Sequence, residues 1–310
     1  MLEGGIESGG DVRLGFVLTD EAVQVLNEAV ECLPVSESVE RAYIKGLPRR
    51  ILKGDLGIYT LSQQGRIVGI LCHRLVDGDA ELVYGIILPD QDLAGKFLRM
   101  VVDDFLSLGI HTVRSGFSWP GASDFIDAAT FMGFIMTDRI GMVRYATGIE
   151  PSVGPCRGFE LVPWSDEYID DVCRLMCANS APEDLHVYPA LTTPYGARQL
   201  MHSVRRDKHG KFLPELSLVA KVNGRVTGFL ISTMLPDGAV LVLDIAVDRE
   251  YRRKGIGSAI MRWLLSESTA KGKDQVVLAV TSLNKDAVRL YESLGFKKNM
   301  TFKQYVLSRY

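Results

Sequence analysis

Long apolar runs are missing from this chain of 310 residues. A membrane-crossing helix needs about 20 consecutive apolar residues, and even the stretch Ala239 to Val247 is interrupted by Asp244. No extended run of Lys and Arg occurs. With 35 basic against 38 acidic residues the formal net charge is −3, so neither a membrane nor a nucleic acid is expected as partner. Cysteine is scarce. Cys32, Cys72, Cys156, Cys173 and Cys177 form an odd set scattered through apolar surroundings, which argues against a disulfide framework. Cys173 and Cys177 stand one helical turn apart, a spacing that suits a buried helix face better than a zinc site. His202 and His209 show no ligand spacing, so no metal is expected. The opening Met1-Leu2-Glu3-Gly4-Gly5 has neither the basic nor the apolar region of a secretion signal, and the expected location is cytoplasmic.

What remains is an ordinary globular composition, 47% hydrophobic and 24% charged, at a length that suggests two domains. The clearest break is Gly148-Ile149-Glu150-Pro151-Ser152-Val153-Gly154-Pro155, whose glycines and prolines suit neither helix nor strand. It divides the chain into expected domains 1–150 and 151–310. A repeat spans the break. Gly65-Arg66-Ile67-Val68-Gly69 matches Gly224-Arg225-Val226-Thr227-Gly228, and Met132-Gly133-Phe134 matches Leu294-Gly295-Phe296, in the same order. A duplicated domain of α/β class with a mixed sheet is the expectation. In the second half the pattern predicts a strand at Phe159 to Pro163, helices at Asp166 to Ala178 and Pro194 to Asp207, and a hairpin around Asn223-Gly224. A mostly apolar strand follows at Ala239 to Val247, and a helix at Gly255 to Lys271 with Ile256, Ile260, Trp263 and Leu264 on one face. Strand Gln275 to Val280, helix Lys285 to Leu294 and strand Phe302 to Leu307 complete it.

Arg252-Arg253-Lys254-Gly255-Ile256-Gly257-Ser258 joins the central strand to its helix. Glycine lets backbone approach a ligand closely, and the first helical N–H groups have no partner within the helix, so the turn can cradle a pyrophosphate beside three cations. It matches neither the P-loop nor the dinucleotide fingerprint, and a plain Gly-rich turn with solvated basic residues is the alternative. A second constellation, Asn284-x-x-Ala287-x-x-Leu290-Tyr291-x-x-x-Gly295-Phe296, reads as one short helix with a glycine stop. Ala287, Leu290 and Tyr291 share a face. Tyr291 either presents its phenol to a ligand or is a core aromatic.

These two motifs, in this order, resemble the GNAT superfamily of acetyl-CoA-dependent N-acetyltransferases over about Phe159 to Leu307. The resemblance implies tandem GNAT-like domains with acetyl-CoA as co-substrate. It implies that the N–H groups of Gly255, Ile256, Gly257 and Ser258 hold the pyrophosphate. The edge of Ile245-Ala246-Val247 would pair with the pantetheine arm, Asn284 would contact it, and Tyr291 would protonate the departing thiolate. Asp244 shares a strand face with Ala246 and is a candidate general base, or else ties down a neighbouring loop. Glu183, Asp184, His186 and Tyr188 occupy the loop that borders the acceptor pocket in the family, though such loops also simply face solvent.

The first half lacks this equipment. Leu88 to Lys96 has no paired glycines and carries Asp90 and Asp92 where phosphate would sit; Ala122 and Ala129 stand at the positions of Asn284 and Tyr291. It reads as a degenerate copy. An equipped second half after a degenerate first resembles mycothiol synthases in organisation only. The expected activity is acetyl transfer to a primary amine, of a small molecule first and of a protein or peptide second. A CoA-responsive binding or regulatory module without turnover is the alternative.

Overall fold

Two hairpin turns mark the duplicated halves. Gln64 and Gly65 lie at φ 50° and 78°, and Asn223 and Gly224 at 49° and 79°. Paired positive φ values give the hairpin its twist, and glycine at the second position removes most of the steric cost. The two glycine stops are also equivalent. Gly133 and Gly295 lie at φ 88° and 86°. After them, the Phe134 amide donates to the Ala129 carbonyl and the Phe296 amide to the Tyr291 carbonyl, at 2.9 and 3.0 Å. The duplication read from two short matches is therefore present in the backbone.

The computed structural model describes residues 12–32, 38–76, 78–87, 93–115, 123–147, 156, 158–179, 187–188, 191 and 193–309. They form two compact units, Met1–Met136 with Lys303–Tyr310, and Thr137–Phe302. The first unit contains β1 (Val12–Gly15), α1 (Asp20–Cys32), α2 (Ser38–Leu52), β2 (Gly57–Gln63), β3 (Arg66–Val76), β4 (Asp79–Ile87), α3 (Ala94–Ser107), β5 (Thr112–Ser115) and α4 (Ser123–Phe131). Its strands lie in the order β1-β2-β3-β4-β5, antiparallel except for β4 beside β5. Phe97, Leu98, Val101, Val102 and Phe105 form the buried face of α3 against that sheet.

The chain then enters the second unit through β6 (Ile135–Tyr145). There follow β7 (Glu160–Pro163), a 3₁₀ turn leading into α5 (Ile169–Asn179), α6 (Pro194–Arg205), β8 (Lys211–Phe212), β9 (Leu218–Val222), β10 (Arg225–Met234), β11 (Val240–Val247), α7 (Ile256–Ala270), β12 (Gln275–Thr281), α8 (Lys285–Ser293) and β13 (Lys297–Ser308). The sheet order is β6-β12-β11-β10-β9-β7, with β11 and β12 parallel. Thr193 caps α6 through a hydrogen bond from the Gly196 amide, with Pro194 in the first turn where its missing N–H costs nothing. The face of α7 is Ile256, Ile260, Met261, Leu264 and Leu265; Trp263, expected there, is only half-buried at its edge.

The strands ending the two halves are exchanged. β6, from the first half of the sequence, pairs with β12 from Arg139↔Thr281 to Tyr145↔Gln275. The end of β13 pairs instead with β5, from Tyr305↔Ser115 to Ser308↔Thr112. The segment 148–155 lies outside the described residues. No helix among the described residues is long and apolar enough to cross a membrane, and none of their His, Cys, Asp and Glu side chains cluster in threes to hold a metal.

In the first unit the Tyr59 hydroxyl donates to Asp104 Oδ2 at 2.7 Å, and the His73 ring stacks on Tyr59 and meets Phe105 edge-on. His73 Nδ1 is buried without a partner. Burial pushes the imidazole down from 6.5 to about 4, with the Asp104 carboxylate opposing. A folded-state value below the unfolded one means that the neutral ring's contribution is present above pH 6.5 and lost as pH falls toward 4. Acidification over that window should cost the first unit on the order of 2 kcal/mol. Thermal denaturation across pH should show the loss in the native chain and a flatter profile in His73→Phe; an equal acid dependence in both would refute it.

Candidate functional site

A one-residue register shift in β11 opens the second unit's sheet. Against β10, Ile231 faces Asp244 but Ser232 faces Val242, so Leu243 is an extra residue on β11. Such a bulge bends its strand. β11 then lies beside β12 only at Val240↔Val276 and Leu241↔Val277, and beyond these pairs the two diverge. The resulting cleft has a volume of about 1340 Å³ and is lined by Val242 to Val247 on one side and Leu278 to Thr281 on the other. The first unit has the same irregularity: Cys72 faces Tyr84 but His73 faces Leu82, which leaves Val83 extra.

Beyond the bulge, alternation sets which way each group points. The Asp248 amide donates to the Thr227 carbonyl on the β10 side at 2.8 Å. The Val247 carbonyl faces the other way and accepts from Arg252 Nε at 3.1 Å. With a period of two, the N–H groups of Val247 and Ile245 are turned toward the cleft and that of Ala246 toward β10. The side chains divide too: Ile245 and Val247 pack with the α7 core, Ala246 and Leu243 with α5 and α6. By the same alternation Asp244 falls on the Ala246 side, and it lines the cleft.

Across the mouth lies the start of α7. Gly255 sits at φ 81°, which a side chain resists, and the first helical hydrogen bond runs from the Ala259 amide to the Gly255 carbonyl. Ile256, Gly257 and Ser258 thus have N–H groups without an intrahelical acceptor, at the positive end of a 15-residue helix. All three residues line the cleft. The helix start is pressed onto β10, where a Cβ on Gly228 would stand 3.2 Å from the Ala246 carbonyl and 3.3 Å from Ile260 Cδ1.

The three basic residues before Gly255 diverge. Arg252 spends its guanidinium on the Val247 carbonyl and, at 3.3 Å, the Asn179 carbonyl. The buried Asn179 side chain accepts from the Arg249 amide at 3.0 Å and donates to the Leu175 carbonyl at 3.1 Å. Asn179 and Arg252 together fasten the loop to the end of α5. Arg253 is exposed and lines the cleft, whereas Lys254 lies over the Tyr251 ring at 4.7 Å.

On the other wall, the Asn284 side chain caps α8 by accepting from the Ala287 amide at 3.2 Å. Asn284, Ala287, Leu290 and Tyr291 all line the cleft. Tyr291 is 7% exposed, packs against Phe296 at 5.9 Å between ring centroids, and so belongs at once to the core and to the cleft wall. In the first unit the same place, fixed by the glycine stop, holds a fully buried Ala129. Asp90, Asp92, Ala122, Glu183, Asp184 and His186 lie outside the described residues.

Sequence reasoning missed Arg139. It sits on β6, 4% exposed, and lines the cleft. Its guanidinium donates to Thr281 Oγ1 at 2.8 Å and the Ala279 carbonyl at 3.3 Å, and lies 5.6 Å from the Tyr188 ring centre. Only the strand exchange brings it there. Cys173 is buried and Cys177 half-buried on α5, both thiols pushed up by burial, consistent with an inert helix face.

Residues 185–296 match the model of the Acetyltransferase (GNAT) family. Over 83 residues the chain is 37% identical to the [Ribosomal protein bS18]-alanine N-acetyltransferase of Escherichia coli K12, covering 27% of this chain and 55% of that protein. Over 174 residues it is 27% identical to N-alpha-acetyltransferase 30 of Mus musculus, covering 54% of this chain and 42% of that one. The chain spans about half the length of the curated relatives it matches. In fold it is similar to a tandem GNAT protein from the clavulanic acid biosynthesis pathway, with a TM-score of 0.52 at 17% identity and 82% of each chain covered.

A Cβ on Gly257 would meet nothing closer than Leu290 Cδ2 at 3.6 Å and Val247 Cγ2 at 3.8 Å. Gly257→Val should therefore leave the thermal midpoint nearly unchanged while lowering acetyl-CoA affinity by on the order of tenfold or more, because its side chain projects where phosphate would meet backbone. Unchanged affinity by titration calorimetry would remove the phosphate cradle from this turn.

Proposed function

We propose that this chain, whose residues 185–296 match the Acetyltransferase (GNAT) family model, uses its second unit to transfer the acetyl group of acetyl-CoA to an amine. GNAT acetyltransferases use acetyl-CoA, and the cleft suits that molecule. The observation that carries the reading is the opening between β11 and β12, with a bare helix start at one end and a tyrosine on the facing wall. The pyrophosphate would meet the N–H groups of Ile256, Gly257 and Ser258. A linear amide-bearing arm would lie along Ile245 to Val247 as an added strand, a mode that supplies main-chain hydrogen bonds without asking for particular side chains. Arg252 acts here by holding the loop rather than by touching phosphate.

Chemically, the transfer asks for three things. The carbonyl oxygen needs a donor as it gains charge, and the cleft-facing amide of Val247 or Ile245 supplies one, worth about 3 kcal/mol when well aimed. The departing sulfur needs a proton. A phenol, protonated at neutral pH, can give one to a thiolate of similar basicity, and Tyr291 stands on the wall of the cleft. The attacking amine must be neutral, and Asp244, on the Ala246 side away from the α7 core, could take its proton directly or through water. Tyr188 and Arg139 line the cleft with it.

Two acceptor classes are open to this chemistry. A small-molecule amine is the expectation from sequence. The names of the two curated relatives favour a protein N-terminal amine instead. The first unit keeps the bulge of β4 but has Ala129 in place of the tyrosine, and serves as scaffold: it takes β13's end and sends β6 to the second unit.

Tyr291→Phe should lower kcat by about 10²–10⁴-fold with little change in acetyl-CoA affinity, since only proton donation is lost. Thiol release measured with a panel of small amines and short peptides would show it and would identify the acceptor class. Equal turnover in variant and parent would return Tyr291 to a packing role, and no release with any acceptor would favour a CoA-responsive module without turnover.

A further inference from the structure

The last residue of α5 does more than close its helix. Asn179 is 7% exposed and lines the cleft. Its side-chain amide is divided between two elements. Nδ2 donates back to the Leu175 carbonyl at 3.1 Å, and Oδ1 accepts from the Arg249 amide at 3.0 Å. Completing the helix end asks only for the first bond. The second reaches 70 residues along the chain, to the 3₁₀ turn Arg249–Tyr251 between β11 and the start of α7. Asp248 serves the next two donors of that turn: its Oδ1 accepts from the Glu250 amide at 3.2 Å and its carbonyl from the Tyr251 amide at 2.8 Å. The Arg249 amide, first in the turn, is met by Asn179. α5 is a firm base for this hold, since Val172, Leu175 and Met176 are buried with Phe229 and Ile231 of β10.

We propose that Asn179 is a positioning residue for acetyl transfer, acting through the Arg249 amide. The inference rests on the acetyl-CoA reading of the cleft. Val247, whose N–H faces the cleft, lies just before the turn, and the bare N–H groups of Ile256, Gly257 and Ser258 follow it. Holding the first amide of the turn to a packed helix fixes both sets of donors relative to the α5 side of the cleft. In this role Asn179 acts without contacting either substrate. Its effect is felt at the cleft because donors must be well aimed, and a displacement of about 1 Å can cost on the order of 10²-fold. Once Oδ1 is removed, no other group of the turn accepts from the Arg249 amide, and the turn shifts to satisfy it.

The test is titration calorimetry with acetyl-CoA on the full chain, with thermal melting to check the fold of each variant. Asn179→Ala removes both side-chain bonds and should weaken binding by on the order of tenfold. Asn179→Asp keeps an oxygen for the Arg249 amide but loses the donor to Leu175. It should restore affinity to within about threefold of the native chain, even with a lowered melting point. Arg249→Pro deletes the same hydrogen bond from its other end, and Asp248, at φ −48° and ψ 133°, already has the backbone that a following proline requires. Arg249→Ala keeps the amide and is the reference from which the proline effect is counted. Arg249→Pro should weaken binding as Asn179→Ala does, and the two together should do no more than either alone, because both remove one bond. Where Asn179→Ala does not fold, Arg249→Pro against Arg249→Ala decides. Native affinity in Asn179→Ala, equal losses in Asn179→Ala and Asn179→Asp, or additive losses in the double variant would overturn the positioning role while leaving the cleft assignment standing. No binding of acetyl-CoA by the native chain would overturn both.

Discussion

The extra residue at Leu243 governs everything the second unit can do. Parallel neighbours normally hydrogen-bond along their length, and a sheet so closed offers no edge to a ligand. Once the bulge turns β11 aside after Leu241, the alternation of the strand from Ile245 to Val247 leaves every second amide facing a cleft instead of β12. The same turn carries the end of β11 toward the start of α7, so that strand-edge donors and helix-start donors face one space. The cleft is then a consequence of register, and its chemistry follows from the few side chains that border it.

A cleft lined by exposed backbone needs its loops held still, and the hydrogen bonds around Asn179 do this. Asn179 is at once the end of α5 and the anchor of the Arg249 amide, while Arg252 spans from the Asn179 carbonyl to the Val247 carbonyl. Buried polar groups are retained where their partners are complete, and here two bonds tie the end of α5, and one the end of β11, to the turn before α7. Gly228 completes the arrangement by letting the start of α7 press onto β10. On the facing wall, Tyr291 is placed by the glycine stop at Gly295, after which the Phe296 amide turns back to donate to the Tyr291 carbonyl.

Local signals in the sequence carry much of this. Asn223-Gly224, Gly295 and the helical spacing around Ile256 and Ile260 concern neighbours within a few residues, and the structure agrees with each of them. Signals that depend on distant partners are not readable. Nothing in Ile135 to Tyr145 says that it pairs with Gln275 to Thr281, because strand alternation is the same whichever neighbour is chosen. Arg139 escapes the sequence for that reason, and the Leu243 bulge because one additional apolar residue in an apolar strand leaves no trace in the pattern. Arg252 differs in kind from what its sequence suggests. It reads as one of three cations beside a phosphate cradle, and only the folded chain shows it bonded to the Val247 and Asn179 carbonyls.

On the proposed reading, the opened strand edge and the bare helix start of the second unit receive acetyl-CoA, and the first unit, with Ala129 in place of the tyrosine, does not. Amide hydrogen–deuterium exchange on the intact chain, with and without saturating acetyl-CoA, separates the two units. Slower exchange in peptides covering 245–247 and 255–258, with no change at 83–87, is the expected result. Protection at 83–87, or none at 245–247, would contradict the account.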